Sequence, residues 1–165
     1  MDTNLRTALW DVFRVIFDEP NVWWGNGNFK VGQLPLISIL VTSIEHSDES
    51  LSLSDPEGDT IIHTDSTINL TIEYFASGAV PYQAVDKLSA GLMKLRSGVI
   101  RYLLSTKNLS FVGISNGPID ISGIDGSGFE SRASADLRFR FGTSLADKFG
   151  WIEEIAAITA ETQGD

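Results

Sequence analysis

Cysteine is absent from this sequence of 165 residues, and histidine occurs only twice. Without cysteine the chain has no disulfide bridge, no thiolate metal centre and no cysteine nucleophile. His46 and His63 lie seventeen positions apart in an acidic stretch, which makes a poor zinc ligand set. No apolar run approaches the roughly 18 residues of a membrane span. The first residues also lack the basic segment and apolar run of a signal peptide, so we expect no membrane association.

Basic residues are few: 12 Lys and Arg stand against 22 Asp and Glu, which gives a formal net charge of −10. This balance argues against a surface that grips phosphates broadly, although it suits a protein that lets DNA pass without binding it. A hydrophobic content of 42% excludes a disordered chain. The length indicates a single domain, residues 1–165, with a core of its own.

The clearest pattern is the alternation in Phe129–Gly142. Odd positions in this stretch are apolar or small and even positions are polar or charged, which predicts a strand with one buried face. The polar face contains Arg132, Arg138 and Arg140. Because so many charges cannot be buried unpaired, we expect this face to meet water or a partner.

Helical spacing of apolar residues predicts a first helix over Asn4–Phe17. Pro81 is expected to open a second helix as a first-turn residue. Gly98 is expected to end or kink that helix before a shorter one, Val99–Leu104. These helices would cover one face of the sheet.

Further strands are predicted at Leu36–Glu45, Thr67–Ala76, Leu109–Ile114 and Trp151–Ala160. Apolar residues on both sides of Leu36–Glu45 indicate that both of its faces are covered. Ser115–Gly128 is interpreted as a turn-rich link. Strands that follow one another without helices between them pair antiparallel, so the predicted class is α+β. We expect a mostly antiparallel sheet of about four to five strands with helices packed on one face.

Two stretches interrupt these elements. Asn21–Gln33 is rich in Gly and Asn and contains Trp23 and Trp24, a pair that could bind a ligand such as a sugar, cover the core or lie in an interface. His46–Ser66 contains no Lys or Arg and includes these carboxylates: Asp48, Glu49, Asp55, Glu57, Asp59 and Asp65. It lacks the residue order of an EF-hand calcium loop. We interpret it as a long hairpin or loop with a turn at its tip, Asp55–Gly58.

Two motifs resemble an esterase motif and a phosphate-binding loop, but the residues around them do not fit either function. Gly113–Gly117 matches G-x-S-x-G, but Pro118 follows it instead of a helix, and both histidines precede Ser115. The glycines of Gly123–Gly128 lack the Lys-Ser/Thr ending of a phosphate loop and lead into a strand. We therefore predict no catalytic residue, no cofactor and no metal ligand.

Several stretches, taken in order, resemble the neck terminator or tail terminator proteins of tailed bacteriophages. They are the amphipathic N-terminal helix, Trp24-Gly25-Asn26 before Leu36–Glu45, Ile68–Tyr74 before Pro81–Arg96, Glu130-Ser131-Arg132-Ala133-x-Ala135-Asp136-Leu137-x-Phe139, and Gly150-Trp151-Ile152-Glu153-x-Ile155. Together they span nearly the whole chain. Members of this family often have a proline-rich segment before the first strand. In this sequence only Pro35 remains of it.

The resemblance implies an α+β structural virion protein that assembles as a hexameric ring and has no enzymatic role. The ring would end the tail tube, join it to the head connector and leave a channel through which DNA passes without specific binding. Its neighbours would be a connector or head-completion protein above and the tail tube protein below, with assembly in the host cytoplasm.

On this interpretation, two groups of residues are candidates for contact. The candidate ring interface consists of Arg132, Arg138, Arg140, Trp23 and Trp24. The candidate channel or neighbour-ring loop contains Asp48, Glu49, Asp55, Glu57 and Asp59. Two other classes stay open: a small acidic ligand- or protein-binding module unrelated to virions, and an enzyme that uses scattered carboxylates.

Overall fold

The computed structural model describes residues 3–18, 21–25, 34–54, 60–77, 80–125 and 128–147. Within these ranges the chain forms three helices, α1 (Thr3–Phe17), α2 (Gln83–Lys94) and α3 (Gly98–Thr106). The strands are β1 (Val22–Trp24), β2 (Leu36–Ser54), β3 (Thr60–Phe75), β4 (Leu109–Asp120), β5 (Gly123–Asp125), β6 (Gly128–Glu130) and β7 (Arg132–Asp147). The predicted strand Trp151–Ala160 lies outside the described residues.

The main sheet has five strands in the order β1-β2-β3-β7-β4. Every pairing in it is antiparallel except that of β1, which runs parallel to β2. β5 and β6 form a separate antiparallel ribbon. The predicted α+β class, with a mostly antiparallel sheet, is therefore confirmed.

The core lies between one face of the sheet and the helices. The alternation seen in the sequence places Leu70 opposite Leu137 and Ile68 opposite Phe139, and all four side chains are fully buried. α1 lays its apolar stripe on them, so that the ring of Phe13 meets Phe139 edge-on with centroids 6.2 Å apart. The predicted cover of one face by helices is thus observed in the described residues.

α2 begins at Gln83, two residues later than predicted. Its N-cap is Tyr82, and Pro81 lies before the helix. Tyr82 adopts a left-handed conformation with φ 62°, and its own side chain makes no capping bond. The amide of Ala84 instead donates to the buried hydroxyl of Ser131, 3.1 Å away, which ties the start of α2 to the start of β7. Gly98 does not end α2; it begins α3, and Ser97 caps that helix.

Three strand predictions also need correction. The predicted strand Phe129–Gly142 is broken at Ser131 into β6 and β7. The predicted link Ser115–Gly128 is strand as far as Asp120, although its pairing with β7 is shifted at several points. The predicted cover on both faces of β2 is wrong at Leu40, which is 39% exposed because the helices pack on the opposite face.

Three strands extend beyond the body of the sheet. β4 begins opposite Phe141, whereas β7 continues to Asp147 and remains paired with β3 there. β2 and β3 stay paired as far as Ser54 and Thr60. We call this extension the arm, formed by residues 46–54, 60–66 and 142–147. At about 3.3 Å per residue, the β7 part of the arm reaches about 20 Å past Leu109, the first residue of β4. The predicted tip, Asp55–Gly58, lies outside the described residues.

Gly91 of α2 packs directly against the ring of Phe17 in α1. A methyl group added there would overlap the ring of Phe17, whereas one added at Gly98 would meet nothing within 4 Å. We expect Gly91→Ala to lower the free energy of unfolding by about 1–2 kcal/mol, since the overlap outweighs the gain in helix propensity. Gly98→Ala is the matched control and should raise stability by up to about 1 kcal/mol. Urea unfolding of both variants tests this, and equal shifts in the same direction would contradict the close packing.

Candidate functional site

The candidate site is the sheet face opposite the helices, which we call the outer face. Alternation places Asn69, Thr71 and Glu73 of β3 on it beside Asp136 and Arg138 of β7. Their side chains are half-buried or exposed, unlike the fully buried residues between them. The polar face predicted from the sequence is therefore present.

Asn69 links three strands across this face. Its side-chain amide donates to Glu45 Oε1 at 2.7 Å and to Ser43 Oγ at 2.8 Å, both on β2. Its carbonyl oxygen Oδ1 accepts from Nε of Arg138 on β7 at 3.1 Å. A carboxylate, an amide and a guanidinium thus form one row. Exposed bonds of this kind add little stability. In the structure the guanidinium of Arg138 is turned toward Asn69.

Arg132 is engaged within its own chain. Its guanidinium lies 3.1 Å from Glu73 Oε2 and 3.9 Å from Glu130 Oε2, and it stacks 4.5 Å from the centre of the Phe75 ring. Its side chain is only one-third exposed. The charge of Arg132 is therefore compensated inside the sheet, although the sequence places it with the other two arginines.

Arg138 and Arg140 differ from Arg132 because no carboxylate pairs with them among the described residues. Arg138 is bonded to a neutral amide, and Arg140 lies between Thr67 and Ser110 in the strand register. Both side chains are exposed. Two guanidinium groups thus lie on the outer face of a strongly acidic protein without a direct carboxylate partner among the described residues.

The two tryptophans occupy opposite faces of β1, so the structure does not bring them together. Trp24 is half-buried on the helix side, where the guanidinium of Arg6 lies 5.0 Å from its ring centre. Trp23 is 41% exposed and lies opposite Ser38, on the same face as the arginines. Only Trp23 therefore belongs to the outer face, and Trp24 joins the packing of β1 against α1.

The acidic candidates lie on the arm or beyond the described residues. Asp48 and Glu49 fall in β2 where its register with β3 shifts between His46 and Ser50. His46 Nδ1 is 2.8 Å from the buried Ser66 Oγ, at the base of the arm. The remaining three, Asp55, Glu57 and Asp59, lie outside the described residues. Within the described part of the chain, no group of three or more potential ligands could hold a metal ion.

A half-open cleft of about 460 Å³ lies where the arm leaves the body. Its walls include Leu5, Ala8 and Phe141, and its one cationic wall residue is Lys107. The ammonium of Lys107 is 2.7 Å from the carboxylate of Asp11, which compensates its charge. The described cleft is thus not built for an anion.

Sequence reasoning missed the linking function of Asn69 and its partner Glu45. The alternation of side chains along β3 places Asn69 on the polar face. Only the register of β2 against β3 shows that Glu45 lies within hydrogen-bonding distance of Asn69. The exposed apolar side chains of α2 and α3 were also missed, because the helical pattern identifies the buried stripe rather than the opposite face.

Comparison with known protein families gives a match over residues 3–165 to the family described as phage neck terminator protein. No curated protein matches the chain. The family match confirms the resemblance that the sequence showed. None of the described helices is long and apolar enough to cross a membrane.

Alanine substitutions separate the structural arginine from the exposed ones. Arg132→Ala should lower the free energy of unfolding of the monomer by about 1–2 kcal/mol, because it removes the Glu73 pair and the stacking on Phe75. Arg140→Ala should change it by no more than about 0.5 kcal/mol. Chemical unfolding of dilute protein measures both. Similar losses in the two variants would show that the distinction between these arginines is wrong.

Proposed function

The chain belongs to the phage neck terminator protein family, and we propose that it forms a homohexameric ring that ends the tail tube. As a structural protein of the phage neck it lies in the virion and interacts with other head and tail proteins. In our proposal the ring joins the tube protein below to a connector or head-completion protein above. DNA passes through its centre without specific contacts.

The two exposed arginines that have no direct carboxylate partner in the described part of the chain are the observation that supports assembly through the outer face. Arg138 and Arg140 lie on a regular strand, and Arg138 donates to the side chain of Asn69. In the proposed neck they contact carboxylates of an adjacent subunit or of the next ring. Charged pairs that lose water at such a contact give specificity, and removing one partner costs several kcal/mol.

Trp23 is the apolar member of the same contact. Its ring is exposed on the same face of the sheet, in the row of Ser38 and Glu73, and tryptophan and arginine are enriched among the residues that dominate binding energies. Trp24, which packs toward α1, supports the interface indirectly by fixing β1.

The net charge of −10 supports the proposed channel. A protein binds DNA largely by replacing phosphate counterions with Lys and Arg, so an acidic lining avoids that attachment. We assign Asp55, Glu57 and Asp59, which lie between β2 and β3 in sequence, to the channel or to the next ring. In the channel they repel phosphates, and on a ring they meet basic groups.

Imaging of purified phage necks tests the ring directly. We expect six copies of this chain around the central axis, because a closed ring satisfies every subunit contact. Native mass spectrometry of the released ring should give the mass of the same hexamer. A neck that contains a single central copy would rule the proposal out.

Charge reversal tests the outer face. Arg138→Glu combined with Arg140→Glu should abolish assembly while changing the stability of the monomer by less than about 1 kcal/mol, since neither side chain is buried. The control combines Arg138→Lys with Arg140→Lys, which keeps both charges. Assembly is measured by incorporation into necks and by particle infectivity. Unchanged assembly after reversal would show that these arginines face solvent in the neck.

Shortening the arm tests its part in joining. Replacing Ser50–Thr60 by Asn-Gly removes one β3–β7 pair, Thr60 with Asp147, and the five β2–β3 pairs from Ser50 with Thr64 to Ser54 with Thr60, but no residue of the described core. We therefore expect a folded protein with an almost unchanged unfolding midpoint, but heads and tails that do not join. Infectious particles carrying this shortened chain would contradict a function of the arm in assembly.

A further inference from the structure

The charges of the chain are unevenly distributed between the helices and the arm. α2, α3 and the turn between them contain Lys87, Arg96 and Arg101 as exposed cations. In the described residues none of the three takes part in an ion pair. Asp86 is the one carboxylate in this segment, so its outward side is basic although the whole chain is acidic.

Large apolar side chains are exposed on the same two helices. Met93 and Val99 are each 76% exposed and Tyr102 is 73% exposed. All three point away from the buried positions of their helices, such as Leu92 and Leu104. Methionine, tyrosine and arginine are the residues in which protein interfaces are enriched. We call this set the helical surface: Lys87, Met93, Arg96, Val99, Arg101 and Tyr102.

The arm has the complementary composition. Its strands contain Asp48, Glu49, Asp65 and Asp147 and no Lys or Arg. They also contain aliphatic residues close to these carboxylates in sequence, among them Leu51 and Leu53. An acidic and aliphatic element of this kind fits a surface that is basic and apolar.

The two elements do not meet within one chain in the described structure. The helices pack on the body of the sheet, over Leu70, Leu137 and Phe139, whereas the arm begins beyond Phe141. The arm is therefore placed to reach another molecule.

We propose that the arm of one copy docks on the helical surface of a second copy. This inference rests on the proposed ring and identifies the contact between neighbours in it. The two surfaces are different, so the contact is head-to-tail, and contacts of this type close into a ring when their rotation is an integral fraction of a turn. The charges of the arm strands then neutralise cations of the neighbour, while the arm's end remains free for the channel or the next ring.

Disulfide trapping tests the contact cleanly because the chain has no cysteine of its own. A chain with Ser50→Cys on the arm and Val99→Cys on α3 should form covalent multimers on mild oxidation, since its two thiols meet between copies. The control combines Ser50→Cys with Val112→Cys, whose position on β4 is 52% exposed. Non-reducing gels of concentrated protein and of assembled necks should show at least about tenfold more multimer for the first chain, the effect of a contact worth about 1.4 kcal/mol. Equal amounts of multimer in the two chains, or a cross-link confined to the monomer, would overturn the inference.

Complementary charge reversal gives an independent test. Arg96→Glu with Arg101→Glu should weaken self-association about tenfold, and mixing this variant with an Asp48→Lys, Glu49→Lys chain should restore it. Sedimentation at low and high salt measures the association, which should fall as salt screens the charges. Reversal without loss, or loss without rescue, would overturn the docking of arm on helices.

Failure of this contact is distinguishable from failure of the ring. Six copies around the axis without the Ser50–Val99 cross-link would leave the ring intact and assign the helical surface to a different neck protein. A neck with one central copy would remove the ring and this inference with it.

Discussion

The pairing of β3 with β7 is the constraint on which the other parts of this protein depend. All 16 residues of each strand are paired, from Thr60 with Asp147 to Phe75 with Arg132. Because the side-chain period is two, this single register decides three things at once. It directs Leu70 and Leu137 toward the helices, places Asn69 beside Arg138 on the outer face, and prolongs both strands into the arm. A slip of one residue would turn the core outward.

Much of the fold follows from patterns that are local in sequence. The alternation around Leu137, the apolar stripe of α1 and that of α2 each report a buried face directly, and all three elements are present. The α+β class follows from the order of these elements. The family follows from short stretches spread along the chain, because their order and spacing together are more informative than any one of them.

The structure differs from the sequence-based predictions where residues that are distant in sequence determine the local structure. Tyr82 takes a left-handed conformation that favours glycine, and Ser131, 47 positions after Ala84 in sequence, supplies the bond to the Ala84 amide at the start of α2. The three arginines look equivalent in sequence, yet the register sets Arg132 beside Glu73 and leaves Arg140 between Thr67 and Ser110. The third strand of the arm was missed because Gly142 ends the strong alternation, while its pairing with Asp65 continues the strand.

The irregular edges of the sheet have a consequence for how many copies can associate. On one edge β4 has shifted pairing between Phe111 and Ile119, and Pro118 there has no N–H to offer another strand. On the other edge β1 covers only three residues of β2, whose own register shifts at Val41 and again after His46. Regular, open edges would let copies add strand to strand without limit, as in fibres. With both edges of the sheet body interrupted in the described residues, growth by backbone pairing is disfavoured there, and copy number depends more on side-chain contacts whose geometry can close.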